Sequence, residues 1–213
     1  MSTQPSSLAP TYDEWLRRPD VDAVAAMCRF FMRDDPVHQT LRNIAARLEQ
    51  LGVAYAVAGG MALGAHRFVR ATVDVDILVT ADGLAAIHRE LEGLGYVAPF
   101  AGSKNLKDTA TGVRIEFLVA GQFPGDGKPK PVAFPDPIEA GVEIDGIRYL
   151  GLPSLVELKL ASGMTNPGRL KDLGDVQELV RILDLPLDFA QQLDPYVRAK
   201  YEELWRGLEA GAD

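Results

Sequence analysis

Cysteine is nearly absent from these 213 residues: Cys28 stands alone, so no internal disulfide can form. That usage points to a reducing compartment, and a cytoplasmic protein is expected. Cys28 lies in the helical run AVAAMCRFF, where a buried structural thiol without chemistry is the expectation. No stretch approaches the run of about 18 apolar residues that a membrane span needs, so no membrane partner is expected. The opening MSTQPSSLAP has neither a basic n-region nor an apolar stretch, and no secretory signal is expected from it. Positive charge is also in short supply. A formal net charge of -8 argues against a surface that coats nucleic acid. The acids gather at the end, where residues 172–213 carry 10 acids and 4 bases, the pattern of a solvated helical layer. Between Lys104 and Lys171 the balance is 9 bases to 8 acids, so this stretch can offer phosphates a locally basic surface.

What is present suits a globular α/β protein: 47% apolar residues, 24% charged, and enough chain to bury a core. Residues 1–11 read as a disordered lead, followed by a helix capped by Asp20 and a second helix from Pro36 to a stop at Gly52. VAYAVAGG reads as a buried strand, MALGAHRF as a short helix, and TVDVDILV as a second strand. A helix opening at Ala81-Asp82 and ending at Gly95 leads to a hairpin, KNLKDTA and VRIEFLV, turning at Thr111-Gly112. The stretch GQFPGDGKPKPVAFPDP, from Gly121 to Pro137, is too rich in Gly and Pro for a strand or helix interior. A further hairpin turns at Asp145-Gly146, and from Leu152 the chain becomes helical, with a last helix from about Asp194 to Leu208. These elements predict an N-terminal lead and helix (1–35), an α/β domain with a mixed sheet flanked by helices (36–150), and a helical C-terminal region (151–213).

The chemistry-bearing residues fall in and after the first strand. Gly59-Gly60 ends that strand and opens a helix, where the missing Cβ atoms let a ligand approach the backbone and unpaired N–H groups face an anion. A Gly-Gly pair alone marks a turn more often than a phosphate site. Asp74 and Asp76 add weight because residues i and i+2 of a strand share a face. Two carboxylates on an otherwise apolar strand are costly to desolvate unless a cation compensates, either a metal or an arginine such as Arg67 or Arg70. Glu116 sits between the core-facing Ile115 and Phe117, so it shares its face with Arg114. If the two strands are neighbours, three acids converge, a donor set for Mg²⁺ or Mn²⁺.

Gly59-Gly60, 13 intervening residues, Asp74-Val75-Asp76, and an acid on a later strand together resemble the DNA-polymerase-β-type nucleotidyltransferase superfamily. The string GGMALGAHRFVRATVDVDILV, with Glu157, Lys159, Lys171, Asp172 and Asp175 further on, is similar to its bacterial branch of AbiEii-like and minimal nucleotidyltransferases. The resemblance implies that Gly59 and Gly60 hold the β- and γ-phosphates of a nucleoside triphosphate and that Asp74 and Asp76 hold metals. Glu116 would ligate a second metal and help to deprotonate an acceptor hydroxyl. Many members carry a serine beside the glycine, whereas Met61 follows Gly60 here, leaving phosphate contact to backbone donors.

Arg70 and Lys159 are candidates for the phosphate-binding cations, the alternatives being a salt bridge to Asp74 and a snorkelling helix lysine. His66 is expected to be a packed or capping residue, and Lys171-Asp172 an interhelix contact. The implied activity is metal-dependent transfer of a nucleoside monophosphate to a hydroxyl of tRNA or another RNA, a protein, or a small molecule. Membership of the toxin branch would add an antitoxin as partner. An inactive nucleotide-binding or interaction module of the same fold is the alternative. A phosphohydrolase using the same acids finds no His-Asp metal motif in its favour.

Overall fold

The computed structural model describes residues 9–211. The expected disordered lead lies outside these residues as far as position 8. From Ala9 the chain is tied down: Lys107 Nζ donates to Ala9 O (2.5 Å) and Tyr12 N to Gly112 O (2.9 Å). A short helix that the sequence pattern did not suggest follows, α1 (Tyr12–Leu16), closed by a capping box between Thr11 and Glu14. Helix α2 (Ala23–Phe31) is capped by Asp22, whose side chain accepts from Ala25 N; Asp20 instead binds the Arg18 guanidinium through both oxygens. Helix α2 buries only Ala26 and Phe30, one turn apart, so Cys28 is exposed and not the core thiol that its neighbours suggest. Helix α3 (Pro36–Leu51) follows the expectation closely. Asp35 caps it, Gly52 stops it at φ +63°, and Val37, Leu41, Ile44 and Leu48 form its buried stripe.

The sheet elements come next: β1 (Tyr55–Val57), β2 (Asp74–Val79), β3 (Tyr96–Val97), β4 (Leu106–Asp108), β5 (Arg114–Val119), β6 (Gly141–Ile144) and β7 (Ile147–Leu150). Between them run α4 (Gly59–Ala65), α5 (Ala81–Leu91) and the single turn α6 (Pro137–Ala140). The seven strands lie in the order β3-β4-β5-β2-β1-β7-β6, with β2–β5 and β1–β7 parallel and the other neighbours antiparallel. Strand β3 and helix α6 are too short to leave a periodic trace in sequence. Helix α5 stops at Leu91, short of Gly95, because the chain reverses into β3 through Gly93 and Gly95, both at positive φ.

The C-terminal helices are α7 (Leu152–Thr165), α8 (Leu170–Leu183) and α9 (Pro195–Ala210), with 3₁₀ turns at Pro167–Arg169 and Leu187–Gln192. The sheet is buried on both faces. Val75, Ile77, Ile115 and Phe117 pack towards α3 and α5, while Ala56, Leu78 and Leu150 pack against α7, α8 and α9. This is the expected α/β architecture: a mixed sheet flanked by helices, with a helical C-terminal part. No helix among the described residues is long and apolar enough to cross a membrane.

Helices α7 and α8 approach closely at Gly163, where an added Cβ would lie 2.6 Å from Leu173 Cγ. Gly163→Val therefore forces these helices apart, and we expect it to lower stability by about 1–3 kcal/mol in urea unfolding.

Candidate functional site

The candidate site lies at the polar end of β2 and β5. These strands pair in parallel with Asp74 opposite Arg114 and Asp76 opposite Glu116. Alternation then decides the faces. Val75, Ile77, Ile115 and Phe117 enter the core, and Asp74, Asp76 and Glu116 remain together on the other side. The neighbour relation on which the convergence depended is thus present.

Helix α4 begins beside this cluster. Gly59 has φ +56°, and a Cβ there would overlap the Asp76 carboxylate, so the turn and the acid fit only because the side chain is missing. At Gly60 an added Cβ would lie 2.8 Å from Thr72 Cβ. Thr72 Oγ1 in turn donates to Asp74 Oδ1 at 2.8 Å, linking the second glycine to the first acid. Ala58 N donates to Asp76 O at 2.8 Å and fixes the turn on β2. The first hydrogen bond of α4 runs from Ala62 N to Ala58 O, so the N–H groups before it face the cleft end of the helix.

Electrostatics at this point are unfavourable by construction. Burial, together with the charges of Asp74 and Glu116, pushes the Asp76 carboxyl up to about 7, and Lys159 and Arg169 offset this only in part. Arg114, on the strand face that it shares with Glu116, compensates the other two acids. Arg114 Nη2 lies 3.2 Å from Glu116 Oε1 and 3.8 Å from Asp74 Oδ2. Alternation along β5 accounts for this placement, since Arg114 and Glu116 stand two apart. Among the described residues no three His, Cys, Asp or Glu side chains form a ready metal cage. The three carboxylates are nonetheless hard oxygen donors in excess negative charge, which fits a divalent ion that takes its remaining oxygens from substrate phosphates.

Arg70 and Lys159 border the same cleft, but their charged heads point into a buried network. Arg70 Nε and Nη2 donate to the two oxygens of Asp175 at 2.8 and 3.0 Å. Lys159 Nζ donates to Asp172 (3.0 Å) and Asp175 (2.7 Å), and Ser162 Oγ to Asp172 (2.7 Å). Arg70 thus pairs with Asp175, not Asp74, and Lys159, 6% exposed, does not snorkel. Burial pushes Asp172 up, but Lys159, Ser162 and Arg169 together outweigh it and hold the acid below its usual range. The expected interhelix contact of Asp172 exists, with Lys159 on α7 as its partner. Lys171 is exposed at the cleft. Arg169, on the 3₁₀ turn, borders it too, and neither has a carboxylate partner within 4.0 Å among the described residues. Of the Lys171-Asp172 pair expected to form an interhelix contact, Asp172 alone makes an ion pair among the described residues. His66 is packed as expected, its Nε2 2.7 Å from Leu150 O.

The loop 120–136 closes the other side of the cleft. It contains no helix or strand, and it folds back through Gly121 N to Phe134 O and Phe134 N to Gln122 O, both 2.8 Å. Pro124 and Phe134 join Leu118, Leu150 and Leu155 in an apolar wall next to Asp76 and Glu116. Lys130 is tied to Pro124 O and Asp126 at 2.6 Å, so it braces the loop and does not reach towards a ligand.

Asp76 makes a sharp pH prediction. An acid whose pKa rises from 3.8 to about 7 on folding binds more protons in the native state than in the unfolded one. Stability must then fall as pH rises between those values, with the full penalty present above about pH 7. Asp76→Asn removes that penalty. Its melting temperature should gain on the wild type between about pH 4 and 7 and level off above, as read by calorimetry across pH.

The fold is similar to two solved structures of ANT(2″)-Ia. One is a crystal structure in complex with adenylyl-2″-tobramycin, with 12% identity, 78% of this chain and 97% of that chain covered, and a TM-score of 0.52. The other is a solution structure of the same antibiotic-resistance factor, with 14% identity, 81% and 95% covered, and a TM-score of 0.51. No protein-family model matches the chain, and neither does any curated protein. The shared feature is therefore the architecture: a seven-stranded mixed sheet with flanking helices and a helical C-terminal part, the nucleotidyltransferase fold.

Proposed function

We propose that this cleft transfers a nucleoside monophosphate from a nucleoside triphosphate to a hydroxyl of a small-molecule acceptor. The observation that carries this reading is the meeting of Asp74, Asp76 and Glu116 beside the side-chain-free start of α4. A small acceptor is favoured by the structural neighbour that holds adenylyl-2″-tobramycin, a small molecule bearing an adenylyl group.

Asp74, Asp76 and Glu116 are the residues that would hold Mg²⁺ or Mn²⁺, which when bound supplies positive charge to the triphosphate. The Gly59-Gly60 turn leaves space for the β- and γ-phosphates and presents N–H groups to them. Arg169 and Lys171 face the same cleft without a carboxylate partner among the described residues and neutralise phosphate charge directly. Arg70 and Lys159 act from behind, because their heads are held by Asp172 and Asp175. Glu116 accepts the proton of the acceptor hydroxyl as its oxygen bonds to the α-phosphorus. The bond from that phosphorus to the bridging oxygen breaks, and pyrophosphate leaves with the electron pair. The apolar wall of Leu118, Phe134 and Leu150 gives a flat or hydrophobic part of a substrate a place to rest. On this reading the α/β part, 36–150, supplies the acids and the phosphate turn, and the helical part, 151–213, supplies the cations.

The test is incubation of the protein with each labelled triphosphate and Mg²⁺ against panels of small molecules, RNAs and proteins, read by mass spectrometry. We expect label on a small-molecule hydroxyl. Label on RNA or protein alone would replace that acceptor class and favour the AbiEii-like toxin branch. Triphosphate binding without any transfer would leave a binding module. In the active protein, Glu116→Ala should cut turnover on the order of 10²-fold while leaving triphosphate affinity near wild type. Asp74→Ala should damage both. Arg169→Ala with Lys171→Ala should act chiefly on triphosphate affinity.

A further inference from the structure

A second cavity, of about 330 Å³, opens on the side of α4 away from the acids. Gly60 and Arg70 line both this cavity and the carboxylate cleft, so the two spaces are neighbours. Its walls are aromatic, with Phe30, Phe31 and Tyr149, and its charged residues include Arg33, Arg67 and Asp145. Backbone conformation singles out this place. Among the described residues four non-glycine positions have positive φ, and three of them line this one cavity: Arg33 (58°), Arg67 (71°) and Asp145 (51°). Asp145 is accounted for by its tight turn with Gly146. The two arginines close helix C-termini, where Asp34 N bonds to Arg29 O and Phe68 N to Leu63 O. Each follows the last turn of a helix, with Arg33 N bonded to Phe30 O and Arg67 N to Gly64 O, a position where glycine is the unstrained choice.

Both arginines therefore hold a disfavoured backbone, and both stand at the same opening. Their charges are largely unspent. Arg33 reaches Asp145 only at 3.9 Å with both side chains mostly exposed, and Arg67 has no carboxylate within 4.0 Å among the described residues. Tyr149 adds a phenol to the lining. Phe31, 51% exposed, leaves one ring uncovered at the rim. Guanidinium pairs recognise phosphate oxygens by charge-assisted hydrogen bonds, and rings recognise rings by stacking. The volume lies at the small end of ligand pockets. We infer that this cavity is a binding site for a small phosphate monoester that also carries a flat ring, of the size of a nucleoside monophosphate. The site is separate from the carboxylate cleft and does not depend on the transfer reaction proposed above.

The test uses 5′-AMP as probe in metal-free buffer, where the three acids of the neighbouring cleft repel phosphate. Binding is followed by calorimetry and by amide chemical shifts of the labelled protein. Arg33→Gly and Arg67→Gly are the informative variants, because glycine relieves the backbone while deleting the guanidinium. We expect saturable binding, shift changes centred on Arg33, Arg67 and Tyr149, and affinity reduced at least about fivefold in each variant. The melting temperature of each variant should equal or exceed that of wild type. Adenosine without phosphate should bind more weakly than 5′-AMP. Equal affinity of wild type and the double glycine variant would overturn the assignment. So would shifts confined to the Asp76 cleft, or no saturation up to about 10 mM probe.

Discussion

Repulsion between like charges on two adjacent strands is the constraint around which this molecule is arranged. In-register parallel pairing puts Asp76 beside Glu116, with Asp74 on the same face, and no sheet would place them so for stability alone. Two unit charges 4 Å apart repel by about 4 kcal/mol near a protein surface. The chain tolerates this because the opposite face of the same strands is fully buried: Val75, Ile77, Ile115 and Phe117 all have 0% exposure. Arg114 offsets part of the repulsion and the raised Asp76 pKa absorbs another part. What remains is an affinity for positive charge, and that is the property a metal-dependent phosphate chemistry needs.

Around this centre the protein builds a second, neutral charge arrangement. Arg70 and Lys159 against Asp172 and Asp175 make two positive and two negative groups, three of them buried, joined by four side-chain hydrogen bonds. Such a network contributes little net stability but breaks expensively, which makes it a device for position. It joins the segment after α4 to α7 and α8, and so fixes the far wall of the cleft relative to the acids. With their charges satisfied inward, the exposed Arg169 and Lys171 are left to face a ligand. The close approach at Gly163 belongs to the same device, since α7 and α8 must nearly touch for Lys159 to reach Asp172.

The glycines at the cleft and the arginines behind it show two opposite uses of the left-handed backbone. At Gly59 the conformation serves proximity, because the space of a side chain is taken by Asp76. At Arg33 and Arg67 the same conformation serves helix termination, closing α2 and α4 with residues that carry a guanidinium. The two cases lie on either side of one short helix.

Sequence by itself determined the elements whose signals are local. The α3 boundaries follow from Pro36 and Gly52, the β6–β7 hairpin from Asp145-Gly146, and the polar face of β2 and β5 from simple alternation. The acids and the glycine pair were legible for the same reason: periodicity and missing Cβ atoms are properties of a few consecutive residues. The short elements β3, α1 and α6 escaped because each carries little more than one period, too little for a repeat to show. Cys28 was misjudged because an apolar helix does not say which of its faces meets the core. The partners of charged groups were decided only in three dimensions. Arg70 meets Asp175 across 105 positions although Asp74 is four positions away, and Lys159 meets Asp172 across 13. Ion pairs form wherever the packed core brings two opposite charges out of water together, and that is settled by the tertiary fold, not by order along the chain.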